Sequence, residues 1–294
     1  MALPDPDLRR TWLFGPGADA DAHAAMLASG ADALIVDLED FTPPPRRPEA
    51  RALLAATVAG CRVLGLVAAV RINALDGDGR DDLAAAMATR PDVIALPMAE
   101  RAAQVAALDA AVAAWEATLG IAPGTTEILP VCETALGVVD VRAIAAASAR
   151  VRGALLGAED LAADLCAERQ PDATELDHAR RRFVLECRAA RIEPIDAPYT
   201  FSDAEGAGRE ARYARRLGYR SKSLVRAGHV AAVRDAFTPG ADELRRAAAM
   251  VAGFEAARAR GEDRALVDGL WVEVPTWRNA LRTLEWAKRL GVGS

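Results

Sequence analysis

Short apolar, β-branched runs recur eight times along the chain, each followed by a longer segment with helical spacing. The runs lie at 11–16, 33–40, 63–73, 93–97, 127–134, 153–161, 193–199 and 221–225. Between them, segments 20–29, 47–59, 80–88, 101–119, 138–147, 176–190 and 203–217 are dominated by Ala, Leu and Arg, which favour helix. Strand–helix alternation is the pattern of a parallel sheet whose crossovers cover it with helices. Eight such units close on themselves as a TIM barrel, a (β/α)8 α/β fold. An open doubly wound sheet would carry G-x-G-x-x-G at its first turn. Here Gly15-Pro16-Gly17 is followed by Ala-Asp-Ala-Asp, so the closed barrel is expected.

The barrel is expected over 1–240, with 241–294 as a helical tail too short for an independent domain. Segment 241–260 reads as a helix, 267–274 as extended and 276–290 as a second helix. Trp271, Trp277 and Trp286 give the tail apolar surface, to be buried across the barrel or on a neighbouring subunit.

Other features narrow the function. The net charge of −6 argues against nucleic acid or an anionic membrane as the main partner. The first residues, MALPDPDLRR, lack the basic-then-apolar order of a signal peptide, and no apolar run is long enough to span a bilayer. The cytoplasm is the expected compartment. Cys61, Cys132, Cys166 and Cys187 form no CxxC pair and read as free thiols rather than a zinc or redox site. His23, His178 and His229 are far apart and point to neither a Ser-His-Asp nor a histidine–metal site.

In a barrel the reacting groups sit at the carboxyl ends of the strands. The second run ends in Asp37-Leu38-Glu39-Asp40, the third in Arg71-Ile72-Asn73, the fifth in Cys132-Glu133-Thr134 and the sixth in Glu159-Asp160. Any one of these acids could be a helix cap. Several carboxylates gathered at one partly dry mouth require a compensating cation. An all-oxygen set without histidine suits a hard ion, Mg²⁺ or Mn²⁺, and Glu133 with Asp160, on adjacent strands, is the natural pair. On an extended strand end, alternation would turn Glu159 away from Asp160.

Taken together, "RTWLFGPG", "SGADALIVDLED", "VRIN", "ETALGV", "GAEDLAADL", "AFTP" and the "VDG…P" tail resemble the HpcH/HpaI aldolase and citrate lyase β-subunit family, in its CitE-like branch. The resemblance runs from Arg10 to about Leu290. It implies a TIM barrel, assembled as a homotrimer or hexamer, that makes or breaks a C–C bond next to a carbonyl. The implied substrates are malyl-CoA, citramalyl-CoA or citryl thioesters, with a 2-oxo acid and an acyl-CoA as small-molecule partners. By motif, Glu133 and Asp160 become Mg²⁺ ligands and Arg71 the clamp on the 2-oxo acid. Glu39 and Asp40 become polar groups beside the reaction, and Gly137 and Glu159 substrate-side residues, with Glu159 orienting water or the metal shell. Glu273, from a neighbour's tail, becomes the base that takes a proton from the thioester's methyl group.

Four positions depart from the family pattern, and all concern substrate or carrier recognition rather than the metal pair. Met98 stands where a lysine is usual. Val225-Arg226-Ala227 replaces "IHP". Glu273 replaces an aspartate. The first loop, Gly17-Ala18-Asp19-Ala20, lacks the usual arginine. Three competing readings follow: a metal aldolase on free 2-oxo acids without CoA, a non-catalytic degenerate subunit, and a Schiff-base aldolase. The last needs a lysine inside the barrel, and Lys222 is the candidate, because the other lysine, Lys288, lies in the final helix.

Overall fold

The structure is a computed structural model that describes residues 4–292. The chain forms two compact units that divide between Arg234 and Asp235. In the first, β1 (Thr11–Pro16), β2 (Ala33–Asp37), β3 (Val67–Arg71), β4 (Val93–Leu96), β5 (Glu127–Cys132), β6 (Gly153–Leu156), β7 (Glu193–Asp196) and β8 (Ser221–Leu224) pair in sequence order as a closed barrel. All pairs are parallel, and β8 closes on β1 through Thr11↔Lys222, Trp12↔Ser223 and Leu13↔Leu224. The crossovers carry α1 (Ala20–Leu27), α2 (Arg47–Leu64), α3 (Gly79–Thr89), α4 (Ala102–Leu119), α5 (Ala135–Val139), α6 (Val141–Ala146), α7 (Glu159–Asp164), α8 (Asp177–Ala190) and α9 (Ala204–Leu217). After β8 comes α10 (Val230–Phe237).

Strand side chains alternate with period two, and this decides what the barrel encloses. Trp12, Phe14, Ile35, Ala69, Ala95, Val131, Leu155 and Ile195 belong to one buried interior cluster. Each fully buried Ile, Leu or Val contributes roughly 1.5–3 kcal/mol. One inward step further along the same strands stand Asp37, Arg71, Glu133 and Gly157, at the carboxyl ends. The opposite end is shut by Arg9, which gives two hydrogen bonds to Glu127 at 2.6 and 2.9 Å.

Several boundaries differ from the sequence expectation. Residues 63–66 were expected to open the third strand, but α2 continues through Leu64 and β3 starts at Val67. Leu54, Val58 and Cys61 keep α2's buried face in helical register, and Gly65, at φ 70°, ends it. The apolar Val63 that suggested a strand lies on the outer side, 85% exposed. Segment 138–147 is two short helices broken at Asp140, not one. The sixth strand stops at Leu156, so Glu159 and Asp160 open α7 instead of ending a strand.

In the second unit, α11 (Ala241–Ala259) packs with α12 (Val274–Arg289). The extended stretch between them is a hairpin, β9 (Ala265–Val267) against β10 (Leu270–Val272). Asp268 and Gly269 turn it with φ of 48° and 78°, the positive angles that an Asp-Gly turn adopts. No helix among the described residues is long and apolar enough to cross a membrane.

Candidate active site

The carboxyl end of the barrel opens into a cavity of about 190 Å³. Phe14, Phe41, Val131, Leu155, Pro198 and Val225 form an apolar wall. Against it stand Arg71, Asp40, Glu133, Glu159 and Asp160. Seven segments of the chain, far apart in sequence, thus meet in one small space.

Arg71 is fixed first by register, because Asp37 is its direct neighbour across the β2–β3 ladder. Its Nε and Nη2 donate to the two Asp37 oxygens at 2.8 and 2.5 Å. Glu39 lies 2.9 Å from Nη1 and Asp40 3.6 Å from Nη2. The guanidinium also stacks over Phe14 at 5.2 Å and Phe41 at 5.9 Å. Burial opposes its charge, but the Asp37 bonds and the surrounding acids outweigh it and raise its pKa. Asp37 in turn accepts the backbone amides of Glu39 and Phe41 at 2.9 and 3.1 Å, which shapes the loop after β2. In the sequence Asp37 is one acid beside Glu39 and Asp40, which the family resemblance brings forward instead. The signal was its place as the last strand residue, one inward step beyond Ile35.

Glu133 and Asp160 face each other. The Glu133 Oε1 atom accepts the Met98 amide at 2.8 Å, and the Asp160 carboxyl lies in hydrogen-bonding contact with Glu133. Burial pushes the Glu133 carboxyl up to about 7; Met98 and Arg71 oppose the shift and Asp160 adds to it. The Asp160 carboxyl is also raised, by burial first and then by the charge of Asp40. Glu39 is pushed up to about 7 by burial, against the pull of Arg71.

Two facing carboxyls that both resist ionisation leave room for a cation to neutralise them. Gly157 deepens that room: a Cβ there would lie 2.4 Å from the Glu133 Cβ and 2.8 Å from its Oε2. The donor set is two carboxylates, and among the described residues no cluster of three His, Cys, Asp or Glu forms a fuller cage. Two carboxylates, completed by water and substrate oxygens, suit Mg²⁺.

Other expected residues fall elsewhere. Glu159 and Asp160 are consecutive helical residues, so they diverge by a helical step and not by strand alternation. Glu159 reaches the cavity rim, where its Oε1 accepts Thr200 at 2.7 Å and Arg169 at 3.1 Å. Gly137 is absent from the cavity wall. It sits on α5, its amide donating to Thr134 at 3.1 Å, and a Cβ would meet the Ala99 carbonyl at 2.6 Å. Glu273 belongs to the second unit, exposed at the N-cap of α12.

Lys222 does not enter the barrel interior. It projects outward and is fully buried, with Nζ 2.7 Å from Asp196 and 2.8 Å from Glu210, and bonded to the Ala197 carbonyl. Its donors are thus occupied away from the cavity, which removes the basis for a Schiff-base role. His23 is satisfied at both ring nitrogens, by the Pro16 carbonyl and Thr57. Cys61, Cys132 and Cys187 are buried free thiols, and Cys166 is exposed.

Residues 10–227 match the family described as HpcH/HpaI aldolase/citrate lyase. A citrate lyase subunit beta from Leuconostoc mesenteroides subsp. cremoris is 33% identical over 282 residues, covering 95% of this chain and 93% of that protein. An L-malyl-CoA/beta-methylmalyl-CoA lyase from Cereibacter sphaeroides is 33% identical over 302 residues, covering 94% of each. Among solved structures, the CitE protein from Mycobacterium tuberculosis in complex with magnesium, acetoacetate and coenzyme A is 30% identical. It superposes with a TM-score of 0.78 over 95% of this chain and 98% of that one.

Proposed function

The chain belongs to the HpcH/HpaI aldolase/citrate lyase family, and from that membership we propose that its barrel mouth makes or breaks the C–C bond of a β-hydroxyacyl-CoA thioester. Membership marks it as a metal-dependent carbon–carbon lyase. The observation that carries the finer reading is the facing Glu133–Asp160 pair on one cavity wall with Arg71. The relatives named for malyl-CoA cleavage and the neighbour solved with coenzyme A support a CoA carrier.

Glu133 and Asp160 would hold Mg²⁺, with Mn²⁺ as the alternative ion; when bound, such an ion polarises a substrate oxygen and lowers the pKa of a hydroxyl. Asp37 and Glu39 take three of the five N–H donors of Arg71, and the remaining two serve the carboxylate of the 2-oxo acid. Glu39 is outside the cavity lining and holds Arg71 Nη1 at 2.9 Å, which makes it a polar group that supports the clamp beside the reaction. The apolar wall keeps water from the carbanionic fragment. Glu273 of a neighbouring copy is the proposed base for the thioester methyl in the condensing direction, in a cytoplasmic homotrimer or hexamer.

The test is a panel of malyl-CoA, citramalyl-CoA and citryl-CoA, with free 2-oxo acids alongside, assayed with Mg²⁺ and with EDTA. Cleavage of a thioester that is lost in EDTA and in Glu133→Gln is the expected result. Activity that survives both refutes the metal assignment, and cleavage of free 2-oxo acids alone refutes the thioester reading.

A further inference from the structure

Met98 has an unusual backbone for its residue type. It follows β4 at φ 46°, in the left-handed region that non-glycine residues avoid. Its side chain is 42% exposed, so packing does not explain the conformation. What the conformation achieves is an amide aimed at Glu133, bonded to its Oε1 at 2.8 Å. Backbone strain that persists beside a functional group has to be held by its surroundings.

Gln104, in the first turn of α4, is the group that holds it. Its Nε2 donates to the Met98 carbonyl at 2.9 Å. Its Oε1 accepts the amides of Glu100 and Arg101, both at 2.9 Å. One side-chain amide therefore ties three points of the loop between β4 and α4. The Ala99 amide, bonded to the Val131 carbonyl at 2.9 Å, anchors the same loop to β5, two residues before Glu133.

We propose that Gln104 is a positioning residue for the metal site: it locks Met98 in its left-handed conformation so that the Met98 amide fixes Glu133 Oε1 and leaves the other oxygen to the ion. This rests on the reading of Glu133 and Asp160 as the metal ligands. Groups that orient metal ligands typically govern about 10–100-fold in metal affinity when removed.

The experiment is calorimetric titration of the full-length protein with Mg²⁺ alone, together with thermal unfolding of the metal-free protein. Glu133→Gln comes first, and its loss of Mg²⁺ binding establishes the underlying reading. Gln104→Ala is then expected to weaken Mg²⁺ binding about 10-fold or more. Adding Met98→Gly to Gln104→Ala is expected to restore most of that affinity, because glycine adopts positive φ without being held. The melting temperature should stay low in the double variant, since the Glu100 and Arg101 amides remain without their acceptor.

Gln104→Glu is the second variant. It keeps both acceptor contacts, loses only the donor to Met98, and should bind Mg²⁺ more weakly at about 0.3 M salt, where its added charge is screened. Mg²⁺ affinity within twofold of wild type in Gln104→Ala, or no recovery in the double variant, overturns the proposal and leaves Gln104 as a loop brace. If Glu133→Gln binds Mg²⁺ normally, the metal assignment itself fails, and this role falls with it.

Discussion

Replacing Asp37 by Asn tests whether the buried ion pair behind the site is as central as its geometry implies. Asp37 is completely buried and accepts four hydrogen bonds, two on each oxygen. An asparagine keeps one of those oxygens and turns the other into an amide that faces two donors. In either orientation, one Arg71 N–H and one backbone amide lose their acceptor. A hydrogen bond to a charged group contributes about 1.5–3 kcal/mol and a neutral one about 1 kcal/mol.

Glu39 and Asp40 still flank Arg71, so its charge is not stranded, and the loss should fall near the low end of the roughly 3–5 kcal/mol for a broken buried pair. At about 2–4 °C per kcal/mol for a chain near this size, the melting temperature drops by roughly 6–12 °C. Urea unfolding followed by circular dichroism reads the free-energy loss, and a thermal scan reads the shift in melting temperature. The control is Asp40→Asn, 56% exposed and 3.6 Å from Arg71, which should stay within about 0.5 kcal/mol of wild type. A loss below about 1 kcal/mol for Asp37→Asn, or an equal loss for the control, refutes the reasoning.

Gly157→Ala should fold but bind Mg²⁺ at least about 10-fold more weakly, because its methyl group displaces Glu133; unchanged affinity by titration would show that Glu133 does not need its present position. The pH dependence follows from the raised Glu133 carboxyl. Above its pKa of about 7 it is ionised and free to ligate, and as pH falls through 7 the proton competes with the metal. Mg²⁺ affinity at pH 6 should therefore lie well below that at pH 8, and equal affinities would contradict the shift. Lys222→Met should cost about 3 kcal/mol in urea unfolding, the low end for a broken buried pair, because Asp196 and Glu210 lose one cation but keep Arg180. In the wild type, borohydride with a 2-oxo acid should leave Lys222 unlabelled, whereas a trapped adduct would restore the Schiff-base reading.

The barrel was legible in the chain because the strand–helix alternation is a local signal repeated eight times. That Glu133 and Asp160 meet at one mouth was legible because each stands within a few residues of the end of an apolar run, and in a barrel the ends of such runs converge. The end of α2 is ambiguous in the sequence because Val63 and Leu64 look alike whether they begin a strand or sit on a helix's outer face. Only the buried row Leu54, Val58, Cys61 separates the two.

Asp37, Lys222 and Gln104 depended on tertiary structure for a different reason. Asp37 is one acid in a run of three until register sets it opposite Arg71. Lys222 was the natural interior lysine until strand parity turned it toward Asp196 and Glu210. Gln104 is an unremarked polar residue in an alanine-rich helix, and its contacts lie on a loop whose backbone angles no local pattern encodes. The chain by itself determined which elements form and which chemical groups end the strands. The closed barrel decided which of those groups share a buried space, because facing direction and desolvation arise only when distant segments pack together.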